Sequence, residues 1–186
     1  MSKGAGLVAP DSDDPLDWVR FHWERQRSEP GEPFLAMASV MRASQLMTAA
    51  IDRILKPLDL SRSSYMFLMT LVLSDSGARK MNRLSHYLLV HPTTVTLIAD
   101  QLQGRGLVER EAHPTDRRAL LCRITAPGRR LAERATKLLA KEDFGFAGLP
   151  PGAADEVIAV LTVARRAAGD GRPRAVPSLS NQERSG

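Results

Sequence analysis

A two-residue break between two helical patterns constrains the fold of this chain more than any other feature. The sequence predicts a helix from Arg83 to Leu89, with Asn82 as its cap, and a second helix from Pro92 to Gln103 that stops at Gly104. Only Val90-His91 separates them. Two helices joined by so short a connection form a helix-turn-helix.

Two strand patterns follow the second helix. They are Leu107 to Arg110 and Leu120 to Ile124, and alternation in the second places Leu120, Cys122 and Ile124 on one face. A polar segment, His113 to Arg118, joins them. The order of helix, helix and two-stranded hairpin predicts a mainly α fold that contains a winged helix-turn-helix.

The second helix divides into an inward and an outward face. Apolar residues recur at three- and four-residue steps in the inward set, Val95, Ile98, Ala99 and Leu102. The outward set is Thr93, Thr94, Thr96, Leu97, Asp100 and Gln101. Three threonines in a first turn disfavour a helix, but their hydroxyl and methyl groups suit base edges and phosphates. We therefore predict DNA contacts at Thr93, Thr94, Thr96, Leu97 and Gln101. The alternative is helix capping, for which one or two threonines suffice.

The hairpin tip carries two arginines beside one aspartate. A hairpin next to a DNA-contacting helix can reach the neighbouring minor groove, whose negative potential attracts arginine. Asp116 is placed to hold Arg118 extended by a bidentate pair, with His113, Thr115 and Arg117 near phosphates. The alternative is a surface turn with a weak local ion pair.

The charge distribution agrees with a polyanionic partner. The chain carries a formal net charge of +5, but residues 101–137 alone carry nine basic and four acidic residues, whereas residues 1–40 are net negative. A local basic excess is typical of nucleic-acid binding, and the alternative is a solvated basic surface.

Here the residues resemble a known family. The stretch VHPTTVTLIADQLQGRGLVEREAHPTDRRALLCRITAPGRRL, and LKPLDLSRSSYMFLMTL before it, are similar to the MarR family of bacterial transcriptional regulators. The resemblance covers roughly residues 33 to 166. It implies a homodimer that represses a palindromic operator and is released by a small molecule or by oxidation. Asp116 and Arg118 match the family's wing pair, and Thr94 and Thr96 match positions that contact bases.

The remaining segments complete the predicted organisation. We expect a disordered N-terminus over residues 1–14, a helical extension over 15–32 and a MarR-like domain over 33–167, followed by a disordered tail over 168–186. Within the domain, the winged helix-turn-helix spans about residues 60–126. A helical dimerisation lobe would come from helices over about 33–56 and 127–167, which are amphipathic and have little to cover them in a monomer.

The N-terminal extension supplies the only candidates for an effector site. Its helix carries Trp18, Arg20, His22 and Trp23, and such a cluster can line a crevice that binds a small aromatic effector. The alternative is that the aromatic side chains cover the dimerisation lobe.

Other chemistry has little support in the sequence. The four histidines have no metal-ligand spacing, no cofactor motif is present, and we expect neither a metal nor an enzymatic activity. The single cysteine, Cys122, fits the inward face of a strand better than the exposed, activated position of an oxidation sensor. No uninterrupted apolar run is long enough for a membrane span, and no secretory signal is recognised, so we expect a cytoplasmic protein. A winged helix used only for protein contacts is the alternative function.

Overall fold

The fold is that of a computed structural model, which describes residues 12–113 and 120–170 of the 186. Two compact units divide the chain between Ala147 and Gly148, and each is described by itself. The predicted mainly α fold with a winged helix-turn-helix is confirmed. The helices are α1 (Pro15–Gln26), α2 (Glu32–Leu55), α3 (Arg62–Val72), α4 (Met81–Leu88), α5 (Pro92–Gly104), α6 (Ala126–Ala140) and α7 (Ala153–Ala167), and the strands are β1 (Ala78–Lys80), β2 (Val108–Ala112) and β3 (Leu120–Ile124).

Helix α1 folds back on α2 through one aromatic residue. The Asp14 carboxylate caps α1 by accepting a hydrogen bond from the Leu16 backbone N–H. The indole N–H of Trp23, within α1, donates to the carbonyl of Glu29, which follows that helix. The Trp23 ring stacks on Phe34 of α2 with centroids 4.4 Å apart. The extension is therefore attached to the first unit rather than independent of it.

Helix α2 exposes an apolar face along its first half. Met37, Val40 and Met41 are each about half exposed, whereas Leu55 at the other end is buried. By length and composition the stretch Glu32–Leu58 can cross a membrane, with a mean hydropathy of 1.3 in its most apolar window, although no uninterrupted apolar run of that length exists. One such helix is weak evidence for a span, because an apolar face of this kind is equally a surface on which another chain packs.

The core of the first unit lies between α3, α5, α6 and the sheet. Helix α3 supplies its centre, and the Ser61 hydroxyl caps that helix by accepting from the Ser64 N–H at 3.0 Å. The largest fully buried side chains are Phe67, Leu55, Leu68, Leu71, Leu84, Leu102, Leu139, Val95, Val108 and Cys122. A core of this size holds α5 rigidly, so that its outward face is presented on a fixed support.

The sheet has three strands rather than the two predicted. Its order is β1-β3-β2 and both pairings are antiparallel, with Arg79 opposite Cys122 and Arg110 opposite Cys122 on its other side. The sequence did not predict β1 because three residues, two of them charged, show no alternation and pair only with a distant strand. Leu120 was predicted to point inward but is half exposed, since it lies at the hairpin end of β3 beyond the reach of the core.

The two helices of the helix-turn-helix begin and end within two residues of their predicted bounds. The predicted Asn82 cap is wrong, because α4 begins at Met81, two residues before the predicted Arg83, and the capping position belongs to Lys80. The Thr125 hydroxyl caps α6 by accepting from the Gly128 N–H at 3.1 Å. Helix α7 forms the second unit and has no buried residue within it.

Candidate nucleic-acid interface

A histidine begins the second helix of the helix-turn-helix. Leu89 closes α4 in a left-handed conformation with a φ of 52°, and α5 starts three residues later, at Pro92. The His91 Nδ1 atom accepts a hydrogen bond from the Thr93 backbone N–H at 3.3 Å and lies 3.0 Å from the Thr93 hydroxyl. Because Nδ1 accepts, the proton of the neutral ring lies on Nε2, which is left as a donor. The N-terminus of α5 thus presents backbone N–H groups and one imidazole N–H, all suited to a phosphate.

The threonines of α5 are all exposed, as predicted. The Thr96 hydroxyl donates to the Pro92 carbonyl at 3.2 Å, and that of Thr93 contacts His91. No hydrogen bond joins the Thr94 hydroxyl to any residue that the structure describes. The Thr93 hydroxyl contacts the His91 cap and the Thr96 hydroxyl bonds to its own helix, so that of the three threonines only Thr94 has a hydroxyl without a partner among the described residues.

The other predicted contacts on α5, Leu97 and Gln101, are four residues apart and share one side of the helix. Leu97 projects outward with 58% of its surface exposed. Gln101 follows Thr94 by two turns and lines a depression of about 940 Å³ between α5 and the start of α3. Beneath it, the Arg105 guanidinium donates to the carbonyls of Leu58 and Asp59 and so ties the end of α5 to the end of α2.

A second arginine joins α5 to the hairpin. The Arg110 Nη2 atom of β2 lies 2.7 Å from the Asp100 carboxylate and 3.0 Å from the Thr96 carbonyl oxygen. The sequence analysis placed Asp100 outward but assigned no role to it or to Arg110. The missed signal is alternation in β2, which places Arg110 on the same face as the buried Val108 and hence beside α5.

The outer face of the hairpin carries another ion pair. The Arg123 guanidinium donates to the Glu111 carboxylate at 2.6 Å. This hydrogen bond holds the pKa of Glu111 below its usual value and raises the pKa of Arg123 above its own. His113 is half buried just after β2 ends. The other predicted wing residues, Thr115, Asp116, Arg117 and Arg118, lie outside the described residues.

Cys122 lies in the core. Its side chain is 0% exposed at the centre of the sheet, and burial raises the pKa of the thiol to about 12, although the nearby Arg110 acts in the opposite direction. A thiol that stays protonated and has no access to solvent does not react as an oxidation sensor.

The candidate effector residues of α1 separate into two groups. Trp18 is exposed and its ring lies 4.2 Å from that of His22, with Arg20 exposed on the same helix. Trp23 instead uses both its ring and its indole N–H in the connection to α2. Of the four candidates, Trp18, Arg20 and His22 are therefore the ones not used in that connection.

The geometry defines a winged helix-turn-helix, the class of fold that presents one helix and one hairpin to a duplex. The MarR family model matches residues 60–120. The transcriptional regulator PrsX of Escherichia coli is 30% identical over 139 residues, which cover 72% of this chain and 82% of PrsX. The crystal structure of Sco5413, a MarR family regulator from Streptomyces coelicolor, is 35% identical with a TM-score of 0.69 and covers 76% of this chain and 99% of its own. The chain belongs to the MarR family of transcriptional regulators.

Two further structures, both of proteins named CouR, contain ligands of different kinds. The transcriptional repressor CouR bound to a 23-mer DNA duplex is 26% identical, with a TM-score of 0.65, and covers 74% of this chain and all of its own. CouR from Rhodococcus jostii RHA1, solved bound to p-coumaroyl-CoA, is 25% identical, with a TM-score of 0.60, and covers 67% of this chain and 87% of its own.

Proposed function

We propose that this protein is a dimeric repressor that binds a palindromic operator in the cytoplasm, catalyses no reaction and is released by a small molecule. The observation that carries the proposal is the exposed first turn of α5, where Thr94 and Thr96 stand beside the His91 cap. The hydroxyl of Thr94 is available, and the adjacent backbone N–H groups favour a phosphate. Leu97 and Gln101 extend the same surface along the helix.

The wing completes the interface. The segment between β2 and β3 carries the predicted wing residues, and Arg110 joins β2 to α5. We assign Arg118 to the minor groove and Asp116 to its orientation. His113, Thr115 and Arg117 are assigned to the neighbouring phosphates.

The apolar face of α2 supports the dimer. Met37, Val40 and Met41 lie on one side of the helix and are uncovered within the described part of the first unit. A two-fold contact along this face buries the same residues of both copies. It also sets two α5 helices about one turn of DNA apart, roughly 34 Å, so that a palindrome is the matching operator.

The effector proposal rests on α1 and on the relative CouR. The exposed Trp18 and the half-buried His22 form an aromatic pair, and Arg20 supplies a positive charge for an anionic group. A ligand held there acts only if it binds one spacing of the two α5 helices better than the other. With a coupling of roughly 1–3 kcal/mol, DNA affinity falls about 5- to 150-fold at saturation.

Mapping the DNA fragments that the purified protein selects from its source genome tests the proposal. We expect an enriched palindrome that the protein binds at least about 1,000-fold more tightly than random DNA, the lower end of the range typical of specific regulators. Thr94→Ala and Thr96→Ala should lower this ratio, whereas Ser63→Ala, an exposed hydroxyl on α3, should not. Equal affinity for every fragment would contradict a sequence-specific regulator.

Deleting residues 1–30 tests the effector site separately. If the shortened protein folds, dimerises and binds its operator but is still released by the same ligand, α1 is not part of the sensor. Loss of release with operator binding intact supports the assignment.

A further inference from the structure

A carboxylate stands on the surface of α5 that faces outward. Asp100 follows Leu97 by one turn, on the side of the helix opposite the buried Val95 and Leu102, and its side chain is 57% exposed. DNA presents a dense row of negative charges. An uncompensated aspartate at this position would repel the duplex that the first turn of the helix is placed to bind.

Arg110 compensates that charge from the neighbouring strand. One nitrogen, Nη2, donates to the Asp100 carboxylate at 2.7 Å and to the Thr96 carbonyl oxygen at 3.0 Å. The Arg110 side chain is only 22% exposed, and its Nε atom is buried without a hydrogen-bond partner among the described residues. The Arg110 guanidinium, through Nη2, is thus directed at α5 and not at solvent.

We propose that Arg110 is a positioning residue for DNA binding, which masks Asp100 and fixes the angle between α5 and the wing. The inference rests on the proposed function, because masking matters only when DNA approaches. The carbonyl contact belongs to the main chain of α5, so the guanidinium orients the helix itself and not only one side chain. The wing and the helix then meet the duplex as one body.

A purely structural role makes a different prediction. A partly exposed ion pair contributes little to stability, and removing either partner of such a brace should be equally harmful. If Arg110 masks Asp100, removing Arg110 should weaken DNA binding more than removing the charge of Asp100. Loss of Arg110 leaves a bare carboxylate facing DNA, whereas loss of the Asp100 charge leaves nothing to repel the phosphates.

The experiment compares four proteins on the selected operator by fluorescence anisotropy: the wild type, Asp100→Asn, Arg110→Ala and the double variant. We expect Arg110→Ala to weaken binding at least tenfold and Asp100→Asn to change it less than threefold. Adding Asp100→Asn to Arg110→Ala should restore at least fivefold. A double variant no better than Arg110→Ala, or an Asp100→Asn protein that binds more tightly than the wild type, overturns the proposal.

A matched control comes from the other face of the hairpin. Arg123 pairs with Glu111 in the same sheet, and Arg123→Ala changes the net charge by the same amount. Glu111 is not on α5, so Glu111→Gln should not restore the binding that Arg123→Ala loses. Equal restoration by Glu111→Gln would show that only net charge matters and would also overturn the proposal.

Two further readouts keep the outcome interpretable. If Arg110→Ala melts below the assay temperature, Arg110→Gln replaces it, since its amide can still donate to the Thr96 carbonyl. If the wild type selects no DNA, the proposed function fails and the positioning role fails with it; if the wild type binds but the double variant gains nothing, only the positioning role fails.

Discussion

Gly128 of α6 lies directly against the backbone carbonyl of Leu107, so closely that a Cβ atom at position 128 would stand 2.0 Å from that oxygen. The same carbonyl accepts a hydrogen bond from the Thr125 N–H at 3.1 Å. The approach of α6 to the start of β2 is therefore set by the absence of a side chain at one position.

Gly128→Ala should destabilise the protein by about 1–3 kcal/mol or more, because neither backbone can yield without breaking the Thr125 contact. Thermal or urea unfolding measures the loss. Gly104→Ala is the matched control, since a Cβ there meets nothing within 4 Å. Alanine near the end of α5 should be neutral or stabilising by up to about 1 kcal/mol. Equal melting temperatures for the two variants would contradict the close contact.

The His91 cap separates stability from DNA binding. His91→Ala should cost about 0.5–2 kcal/mol of stability, the usual loss for a helix cap, whereas His91→Asn should retain most of it. His91→Asp also caps the helix but places a negative charge at its phosphate-facing end. We expect it to remain as stable as His91→Asn yet to bind the operator at least tenfold more weakly. Equal operator affinities for the His91→Asn and His91→Asp variants would contradict a phosphate contact at this site.

The wing predicts a loss of affinity without a loss of stability. Arg118→Ala should weaken operator binding by roughly 1–3 kcal/mol, the scale of a good base contact, and Asp116→Ala should have a smaller effect of the same sign. Arg117→Ala should instead weaken specific and random binding together and flatten the salt dependence by about one unit per subunit. Titrations at matched salt measure all three. Unchanged affinity for Arg118→Ala would exclude the minor-groove role.

The proposed dimer should depend on the exposed face of α2. Met41→Glu places a charge in the middle of that face, where the side chain is 57% exposed, and should shift the protein to monomers without unfolding it. Ala49→Glu, an exposed position elsewhere on the helix, is the control and should leave the dimer intact. Sedimentation velocity measures the mass, and circular dichroism checks the fold. If the Met41→Glu protein is still a dimer, the dimer interface does not include this face of α2.

The Cys122 thiol should lower the stability of the folded protein only at high pH. Its pKa is raised from 9.0 to about 12, so the folded state favours the neutral thiol. The stabilisation from this preference is fully present below about pH 9, and it is lost as the pH rises toward 12, by up to about 1.4 kcal/mol per pH unit. Cys122→Ala should lack this slope while being less stable at neutral pH. A thiol reagent that modifies the native protein at pH 8 as fast as the unfolded protein would show that the cysteine is accessible.

The sequence was sufficient for the elements whose signals are local. Pro92 marked the start of α5, because first-turn preferences depend on neighbours in the chain, and the spacing of Val95, Ile98 and Leu102 marked its buried face. The wing pair at Asp116 and Arg118, which the family resemblance supported, stays a prediction because those residues lie outside the described part of the chain.

Contacts between distant segments could not be predicted in the same way. Strand β1 exists only because β3 lies beside it, and Arg110 acquires a role only when Asp100 of another element comes within 2.7 Å. His91 was expected to be part of a simple break, yet it caps α5. The sequence did not reveal this role because histidine has no strong preference for a capping position.

The pairing of β1 with β3 has a consequence for the order of folding. Glu111 meets Leu121 across a short hairpin, but Ala78 must find Arg123 after both helices of the helix-turn-helix have intervened. Closing the longer loop costs more chain entropy, so the hairpin is expected to form first and β1 to dock last. Amide hydrogens at the β1 edge, including the Ile124 N–H that donates to Gly77, should then exchange with solvent sooner than those shared by β2 and β3. The DNA-binding lobe would open from the side away from its wing.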